Sequence, residues 1–315
     1  MMQKSQVKVS VSILTYNRAN ILRDLLDSLH QLSYPQLEII VVDNNSTDET
    51  EAIVLQEFPE VQYYRMDSNQ GVSARNVGLS KANGDIVITL DDDIIGIDDN
   101  EIEAIVALFD KHHDVGAICF NVIDYFSGRI CNWCHHYKIE EFADKQFVTD
   151  EISEGAVALR RSVFAKSGFY PVDFFISYEG ADLLCRMLDA GYKTIYSPEV
   201  VVRHRHAQQG RPNWRRYYYD TRNQIWFVAR NYPMVLGLRY LAKGLTAMLF
   251  YSVRDGFIKY WVKGIWDGVR SLTKVLEDRK CINKKTLRTL RQISKKRPGL
   301  FYMIRKRLFQ KGIKI

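Results

Sequence analysis

Three consecutive carboxylates, Asp91, Asp92 and Asp93, have the clearest chemical meaning in this sequence. They follow an apolar run at residues 85–90 that has the composition of a buried strand. Like charges this close are unfavourable unless a cation neutralises them. Carboxylate oxygens suit Mg²⁺ or Mn²⁺, which also bind phosphate oxygens and water. The run indicates a divalent cation site, and the alternative is a solvated acidic loop.

Polar residues also follow two other predicted strands. The sequence TYNR at residues 15–18 comes after an apolar run at 9–14, and DNNSTD at 43–48 comes after one at 37–42. Ligands of parallel sheets lie at the carboxyl ends of the strands. We therefore expect the three polar loops to form one site, although Asn, Asp and Ser as simple turn formers would explain the second loop alone.

Strand and helix patterns alternate along the first 120 residues, which favours a mostly parallel sheet with helices on both faces. Strands are predicted at residues 9–14, 37–42, 61–64, 85–90 and 115–120. Helices are predicted at residues 21–29, 73–83, 101–111, 181–190 and 214–231. From Pro233 the chain reads as helical, with aromatic residues set among Lys and Arg.

The motifs in their order resemble the family 2 glycosyltransferases of the GT-A fold. The resemblance is carried by NQGVSARNVG at residues 69–78, LDDD at 90–93, and the two polar loops before them. Further matches reach about residue 230 and are similar to bacterial polysaccharide and rhamnosyl-type transferases. The resemblance implies a nucleotide-sugar-binding half at residues 1–120, an acceptor-binding half at 121–230, and a basic helical extension at 231–315.

The resemblance also implies which residues bind the donor, a nucleotide-diphosphate sugar. Those positions are Thr15, Asn17, Arg18, Asp43, Asn45, Gly71, Arg75, Asp91 and Asp92. In the family, the aspartate at position 43 contacts the nucleobase, and the acidic cluster holds the ribose and the metal-bound diphosphate. The implied Mn²⁺ or Mg²⁺ ligands are Asp91, Asp93 and His204. The alternatives are a surface helix arginine at Arg75 and a surface histidine in a basic loop at His204.

A second motif, FFISYEGADL at residues 174–183, resembles the acceptor side of the family. That motif usually has two adjacent acidic residues, one of which is the general base, but here the second position is Gly180. The base must lie within hydrogen-bond reach of the acceptor hydroxyl. Glu179 is the first candidate and Asp182 the second, although Glu179 could cap the helix and Asp182 suits its first turn. Gly155 is either an ordinary turn glycine or a site of close approach to a sugar.

The charge distribution divides the chain. Residues 1–202 carry 16 Lys and Arg against 32 Asp and Glu, whereas residues 203–315 carry 28 against 5. A basic tail commonly meets phosphate, in nucleic acid or in anionic lipid headgroups. Nucleic acid is not expected, because no nucleic-acid-binding signature is present. Aromatic residues among lysines favour an anionic membrane surface, and the alternative is a solvated face that packs its aromatics inward.

The expected location is cytoplasmic, with a peripheral position on the inner face of the cell membrane as the extended prediction. We find no secretory signal pattern, no apolar stretch long enough to span a bilayer, and only five cysteines. A c-type haem pattern at residues 131–135 needs export, and a zinc site from Cys131, Cys134, His135 and His136 would have unusual spacing.

The predicted function is inverting, metal-dependent transfer of a sugar to an acceptor hydroxyl, in cell-surface polysaccharide or glycolipid synthesis. The acceptor is expected to be a glycan or a lipid-linked molecule. Three alternatives stay open: a nucleotidyltransferase that releases pyrophosphate, a catalytically silent nucleotide-sugar-binding module, and a protein that binds nucleic acid through its basic tail. The silent module stays open because Gly180 replaces the second acidic residue of the motif.

Overall fold

Nine strands form one sheet in the computed structural model, which describes residues 7–135, 137–153, 155–205, 214–298 and 302. The strands are β1 (Val9–Thr15), β2 (Leu37–Asp43), β3 (Gln62–Arg65), β4 (Ile86–Asp91), β5 (Ile94–Ile95), β6 (Val115–Asp124), β7 (Phe147–Thr149), β8 (Ala156–Arg160) and β9 (Lys193–His204). Eight of them follow the order β3-β2-β1-β4-β8-β6-β9-β5, and β7 pairs with β9.

The first four strands are parallel, as predicted. β1 lies between β2 and β4, and its register places Thr15 opposite Asp43 and Leu14 opposite Asp91. The sheet as a whole is mixed, because β8 runs antiparallel between β4 and β6. The segment between β6 and β8 contains the short strand β7 and a one-turn helix at Ile139–Phe142, and a long helical crossover is required only between parallel neighbours.

Twelve α-helices surround and extend the sheet in the described part of the chain. They are α1 (Ala19–His30), α2 (Thr50–Glu57), α3 (Arg75–Lys81), α4 (Asp99–Lys111), α5 (Ile139–Phe142), α6 (Phe164–Ser167), α7 (Glu179–Asp189), α8 (Trp214–Asn231), α9 (Met234–Arg254), α10 (Ile258–Arg270), α11 (Leu272–Glu277) and α12 (Lys284–Ser294). A short 3₁₀ turn at Gly71–Ala74 precedes α3.

Helices cover both faces of the sheet. Alternate residues of a strand point to opposite faces, so Val41 joins the core under α1 and α4 while Ile40 and Val42 join the core under α3 and α7. In α1 the leucines recur at helical spacing and bury one stripe against the sheet. The α/β fold predicted from the sequence is therefore confirmed.

The C-terminal helices pack on α8 and on one another. Ile225, Trp226 and Phe227 of α8 form a third hydrophobic cluster with residues of α9, α10 and α11. The predicted helix at residues 214–231 corresponds to α8, and the predicted division of the chain at residue 231 stays a prediction. In the described part of the chain, every helix falls short of the length and apolar character needed to cross a membrane.

Candidate active site

The loops that follow β1 and β4 are joined by hydrogen bonds between their side chains. Thr15 donates its hydroxyl to Oδ2 of Asp92 at 2.8 Å. Arg18 donates through Nη1 to Oδ1 of Asp92 at 2.8 Å and to Oδ2 of Asp93 at 2.6 Å. Because β1 and β4 are parallel neighbours, their carboxyl ends lie at the same edge of the sheet. One arginine therefore holds two of the three carboxylates in place.

Asp92 and Asp93 are both buried, but their environments act on them differently. Burial raises the pKa of Asp92 to about 6, against the opposing effect of Arg18. Burial also disfavours the charged form of Asp93, but His204 and Arg18 outweigh it and lower the pKa of that carboxyl. Asp93 is thus the more firmly ionised of the two buried carboxylates.

Asp93 and His204 form a pair at the end of β9. Nε2 of His204 lies 3.2 Å from Oδ1 of Asp93, and Nδ1 lies 2.7 Å from the amide nitrogen of Asn132. Nε2 can bind a cation only when the ring hydrogen is on Nδ1. Nδ1 then donates to Asn132, which requires the amide oxygen of Asn132, rather than its nitrogen, to face the ring. The pair supplies a carboxylate and an imidazole, a ligand set that suits Mn²⁺.

Asp91 has a different partner from the one predicted. Its carboxylate pairs with Nη2 of Arg75, whose Nη1 donates to the carbonyl oxygen of Leu90 at 3.0 Å. Among the described residues, His, Cys, Asp and Glu side chains nowhere gather in threes around a possible metal position. The structure thus brings together two of the three predicted ligands, Asp93 and His204. The fit to a divalent cation rests on that pair, with the remaining positions left to ligand oxygens and water.

The side chain of Arg75 is buried, so the alternative of a surface helix arginine is wrong. Asp91 is also fixed through its backbone, because its N–H donates to the carbonyl oxygen of Gly155 at 2.9 Å. A Cβ at Gly155 would overlap the Asp91 carboxylate. Gly155 therefore lets the backbone lie directly against the Asp91 carboxylate, and its predicted approach to a sugar stays a prediction.

The carboxylate of Asp43 is fully buried at the end of β2. Oδ1 accepts from the backbone N–H of Ser46 at 2.8 Å, and Oδ2 accepts from the hydroxyl of Tyr63 at 2.6 Å. Each carboxylate oxygen has two lone pairs, so Asp43 keeps acceptor capacity beyond these two bonds. The two bonds hold the side chain in one orientation.

Two asparagines shape the loops beside Asp43. Asn17 and Asn45 have φ values of 52° and 71°, a left-handed conformation that asparagine tolerates better than most residues. Oδ1 of Asn17 accepts from the backbone N–H of Thr47 at 2.7 Å, and its own N–H donates to the Ser46 hydroxyl at 2.9 Å. The loop after β1 is therefore connected to the loop after β2 as well as to the acidic loop.

Gly71 lies where the donor-side loops meet the segment before α7. Its φ is 64°, and a Cβ there would overlap the carbonyl oxygen of Phe175. That same oxygen accepts from the N–H of Val72 at 2.7 Å. On the other side, the carbonyl of Gly71 accepts from Asn44 at 3.0 Å. Asn44 was part of the predicted loop motif but was not among the predicted site residues.

The segment that leads to Glu179 has an unusual backbone. Phe175, Ser177 and Tyr178 have φ values of 63°, 81° and 67°. Non-glycine residues in this region are strained, and such strain persists only where the surroundings enforce it. Glu179 follows immediately as the first residue of α7, and it is buried. The position of this candidate base therefore depends on whatever holds residues 175–178.

Asn223 of α8 holds this segment. Its amide nitrogen lies within hydrogen-bond distance of the carbonyl oxygens of Phe174, Ile176 and Ser177, at 2.8, 2.7 and 2.7 Å. Asp220, one turn earlier, accepts from the Ser177 hydroxyl at 2.6 Å. Asn223 was not among the predicted site residues. The sequence feature that could have indicated this role is the group of polar residues, Thr221, Asn223 and Gln224, within the aromatic-rich helix α8.

Replacing Asn223 by Ala is expected to slow turnover at least about tenfold, because a small misplacement of a catalytic group is costly. Stability should fall by about 2 kcal/mol, since buried carbonyls lose their donor. Measuring kcat and the KM for the donor on folded protein separates the catalytic effect from the loss of stability. We expect kcat to fall and KM to stay nearly constant. Asn223→Asp keeps the shape of the side chain but loses the amide donors, so its turnover should fall as far. Asn20→Ala, at an exposed position of α1, should match the wild type. A normal kcat in Asn223→Asp would contradict this role.

Asp182, the second candidate base, is enclosed in a structural network. Oδ1 accepts from Asn231 at 2.6 Å and lies 3.2 Å from Nε of Arg230. Oδ2 accepts from Nε of Arg186 at 2.9 Å. The side chain is completely buried. These contacts connect α7 to the end of α8.

His135 packs in an aromatic cluster, with Nδ1 3.9 Å from Sγ of Cys134. Among the described residues, the two do not belong to a group of three or more possible metal ligands. Nδ1 lies 2.8 Å from the Thr149 hydroxyl, and the ring contacts Trp133 edge-on. His136, the fourth residue considered for zinc, lies outside the described residues.

Known proteins are similar to this chain in sequence. The chain is 28% identical over 226 residues to the O-antigen chain rhamnosyltransferase RfbN of Salmonella typhimurium, covering 67% of this chain and 71% of that protein. It is 29% identical over 194 residues to the O-antigen chain rhamnosyltransferase WbaN of Salmonella anatum, covering 58% of this chain and 60% of that one.

Solved structures share the fold at lower identity. The mannosyltransferase PcManGT of Pyrobaculum calidifontis, in complex with GDP-Man and Mn²⁺, has a TM-score of 0.54 and 19% identity over 86% of each chain. S. aureus TarS 1-349 in complex with UDP-GlcNAc has a TM-score of 0.60 and 18% identity, covering 85% of this chain and 82% of that one. The sequence model described as Glycosyl transferase family 2 matches residues 10–168, which is half of the chain. The chain belongs to glycosyltransferase family 2 and is a glycosyltransferase with a GT-A-like fold.

Proposed function

We propose that this glycosyltransferase moves a sugar from a nucleotide-diphosphate sugar to an acceptor hydroxyl, with inversion and with the help of a divalent cation. The observation that carries the proposal is the arrangement at the carboxyl edge of β1, β2 and β4. There Arg18 holds Asp92 and Asp93, and Asp93 faces His204. PcManGT and TarS, which share the fold, were solved with GDP-Man and Mn²⁺ and with UDP-GlcNAc.

For donor binding, we propose that Asp43 accepts an N–H of the nucleobase with its remaining lone pairs. Thr15, Asn17, Arg18, Asn45 and Gly71 would shape the nucleoside pocket around it. Asp91, oriented by Arg75, would accept from a ribose hydroxyl. Asp91 suits this role because it is only partly buried, whereas Asp92 and Asp93 are enclosed.

For the transfer step, we propose that Glu179 takes the proton of the acceptor hydroxyl. The acceptor oxygen then bonds to the anomeric carbon as the bond from that carbon to the diphosphate oxygen breaks, and a single displacement inverts the configuration. Asp93 and His204 would hold Mn²⁺ or Mg²⁺, which supplies Lewis-acid stabilisation of the charge on the departing diphosphate. The buried setting of Glu179 limits competing proton exchange with water.

For the acceptor, we propose a glycan or a lipid-linked molecule in the synthesis of cell-surface polysaccharide or glycolipid. Two relatives are named as O-antigen chain rhamnosyltransferases, and another as a GalNAc(5)-diNAcBac-PP-undecaprenol beta-1,3-glucosyltransferase. The proposed location is cytoplasmic and peripheral on the inner face of the cell membrane. A nucleic-acid partner is not part of the proposal.

A panel of UDP-, GDP- and dTDP-sugars, each with Mn²⁺ and then with EDTA, tests the proposal. A ligand that binds only the folded protein raises the unfolding temperature by mass action. We expect one nucleotide class to raise it and EDTA to remove the shift. With an acceptor present, that donor should release a nucleoside diphosphate. Pyrophosphate released from a nucleoside triphosphate would indicate the nucleotidyltransferase instead, and a shift without transfer to any acceptor would indicate the silent module.

A further inference from the structure

The face of α9 that points away from α8 is apolar and exposed. Within α9, whose residues are all described, only Gly237 and Ser252 are buried. The exposed apolar side chains recur at helical spacing along one stripe: Val235 at 67%, Leu238 at 59%, Phe250 at 56% and Val253 at 62% exposure. A helix of a globular domain normally turns such a stripe toward its core.

α10 presents a second stripe of the same kind. Ile258, Val262, Trp266 and Val269 are spaced by four, four and three residues, and all four are exposed. The opposite face packs closely against α8. A Cβ at Gly264 would lie 2.7 Å from the carbonyl oxygen of Tyr218, and a Cβ at Gly268 would lie 2.7 Å from Cδ1 of Ile225. Close packing of this face fixes the rotation of α10 and leaves the apolar stripe outside.

Basic side chains accompany both stripes. The sequence of α9 contains Arg239, Lys243 and Arg254, and Arg254 pairs with Asp255 directly after the helix, which leaves Arg239 and Lys243 as its net positive charges. On α10, Lys259, Lys263 and Arg270 are exposed beside the apolar side chains. The one acidic residue of α10, Asp267, is engaged by the Tyr218 hydroxyl and by Lys263, both at 2.7 Å. The surface is therefore apolar and positively charged.

This combination selects among the possible occupants. A second copy of the chain would bring like-charged basic rows together, which is unfavourable. A nucleic acid would satisfy the charges and leave the apolar stripes in water. An anionic bilayer satisfies both, since its headgroups attract Lys and Arg while its acyl boundary accepts Val, Leu, Phe and Trp side chains.

We propose that the exposed face of α9 and α10 is a docking surface for an anionic lipid bilayer. The helices would lie in the interface with their axes along the membrane plane, and α8 would connect them to the catalytic domain. This surface is separate from the transfer site. Its binding to lipid can therefore be measured whether or not the proposed donor and acceptor are correct.

Co-sedimentation of the full-length chain with vesicles tests the proposal. The vesicles contain equal parts of phosphatidylglycerol and phosphatidylcholine, with pure phosphatidylcholine as the uncharged comparison. We expect binding to the anionic vesicles, weakened by salt. Val262→Glu and Phe250→Glu should each lower the partition coefficient about tenfold, because each places a charge in the acyl boundary. Lys259→Glu should also lower it, by removing headgroup attraction.

Leu55→Glu on α2 is the matched control, because Leu55 is 56% exposed, close to the 54% of Val262. It should bind vesicles like the wild type, and all variants should keep the wild-type unfolding temperature. Absence of wild-type binding, or binding unchanged by Val262→Glu and Phe250→Glu, would overturn the proposal. So would a dimer in light scattering that Val262→Glu dissociates while vesicle binding is absent, since the face would then join two copies.

Discussion

Glu179→Gln is expected to slow sugar transfer about a thousandfold, the usual scale for loss of a positioned general base. Glutamine keeps the size of the side chain and loses the ability to take the acceptor proton. Glu179 is the first residue of α7 and is held there by a strained segment, so the substitution should leave the backbone in place. Turnover measured with saturating donor and acceptor should fall, while the donor-induced rise in unfolding temperature should persist.

Asp182→Asn is the matched comparison, because it changes an acid one turn further along the same helix. Asp182 is enclosed by Asn231, Arg230 and Arg186. Removing its charge takes a buried partner from two part-buried arginines, one of which keeps Asp278, and should destabilise the fold by about 3 kcal/mol. We expect the fraction that stays folded to keep most of its turnover. A folded but inactive Asp182→Asn beside an active Glu179→Gln would instead identify Asp182 as the base.

Asp93→Asn is expected to lower turnover about a thousandfold, comparable to loss of a strong electrostatic contact in a buried active site. The substitution removes the charge that faces both Arg18 and His204. The cation would lose its anionic protein ligand, and the charge on the departing diphosphate would lose the stabilisation that the cation gives. In the nucleotide-sugar panel, the part of the thermal shift that EDTA removes should disappear in this variant.

Two variants bracket this result. Asp110→Asn changes an exposed acid at the far end of α4 and should behave as the wild type. Asp91→Asn should weaken donor binding but leave an EDTA-sensitive shift, because Asp91 pairs with Arg75 rather than with His204. If Asp93→Asn keeps a full EDTA-sensitive shift and Asp91→Asn loses it, the cation is held by Asp91.

Much of the sheet could be predicted from local sequence. The strands β1, β2, β4 and β6 are rich in apolar residues, and α1 and α8 carry clear helical spacing. The helix α2 was missed, because one of its three buried positions is the polar Thr50 and an apolar residue, Leu55, lies on its exposed face. β8 was missed because it is a short run whose place in the sheet depends on pairing with β4 and β6, far away in sequence.

The candidate site was predictable to the same extent as the parallel strands. Because β1, β2 and β4 are parallel neighbours, the loops that follow them lie at the same edge of the sheet. Asn17 and Arg18 connect these loops in the structure. The partners within the site were harder to foresee. Asn223 lies 46 to 49 residues from the carbonyls it contacts, and its amide alone gives no sign of them. The buried pair of Arg75 and Asp91 likewise depends on how α3 sits against β4.

The contact between Gly71 and Phe175 has a consequence for engineering this enzyme. The two residues belong to the portions of the chain predicted to bind donor and acceptor, and their backbones touch with no room for a side chain at Gly71. A chimaera that takes its acceptor portion from a relative must therefore reproduce the backbone path at Phe175, whatever its sequence there. Acceptor specificity is thus better altered by substituting side chains that do not disturb the contact between Gly71 and Phe175 than by exchanging the whole acceptor portion of the chain.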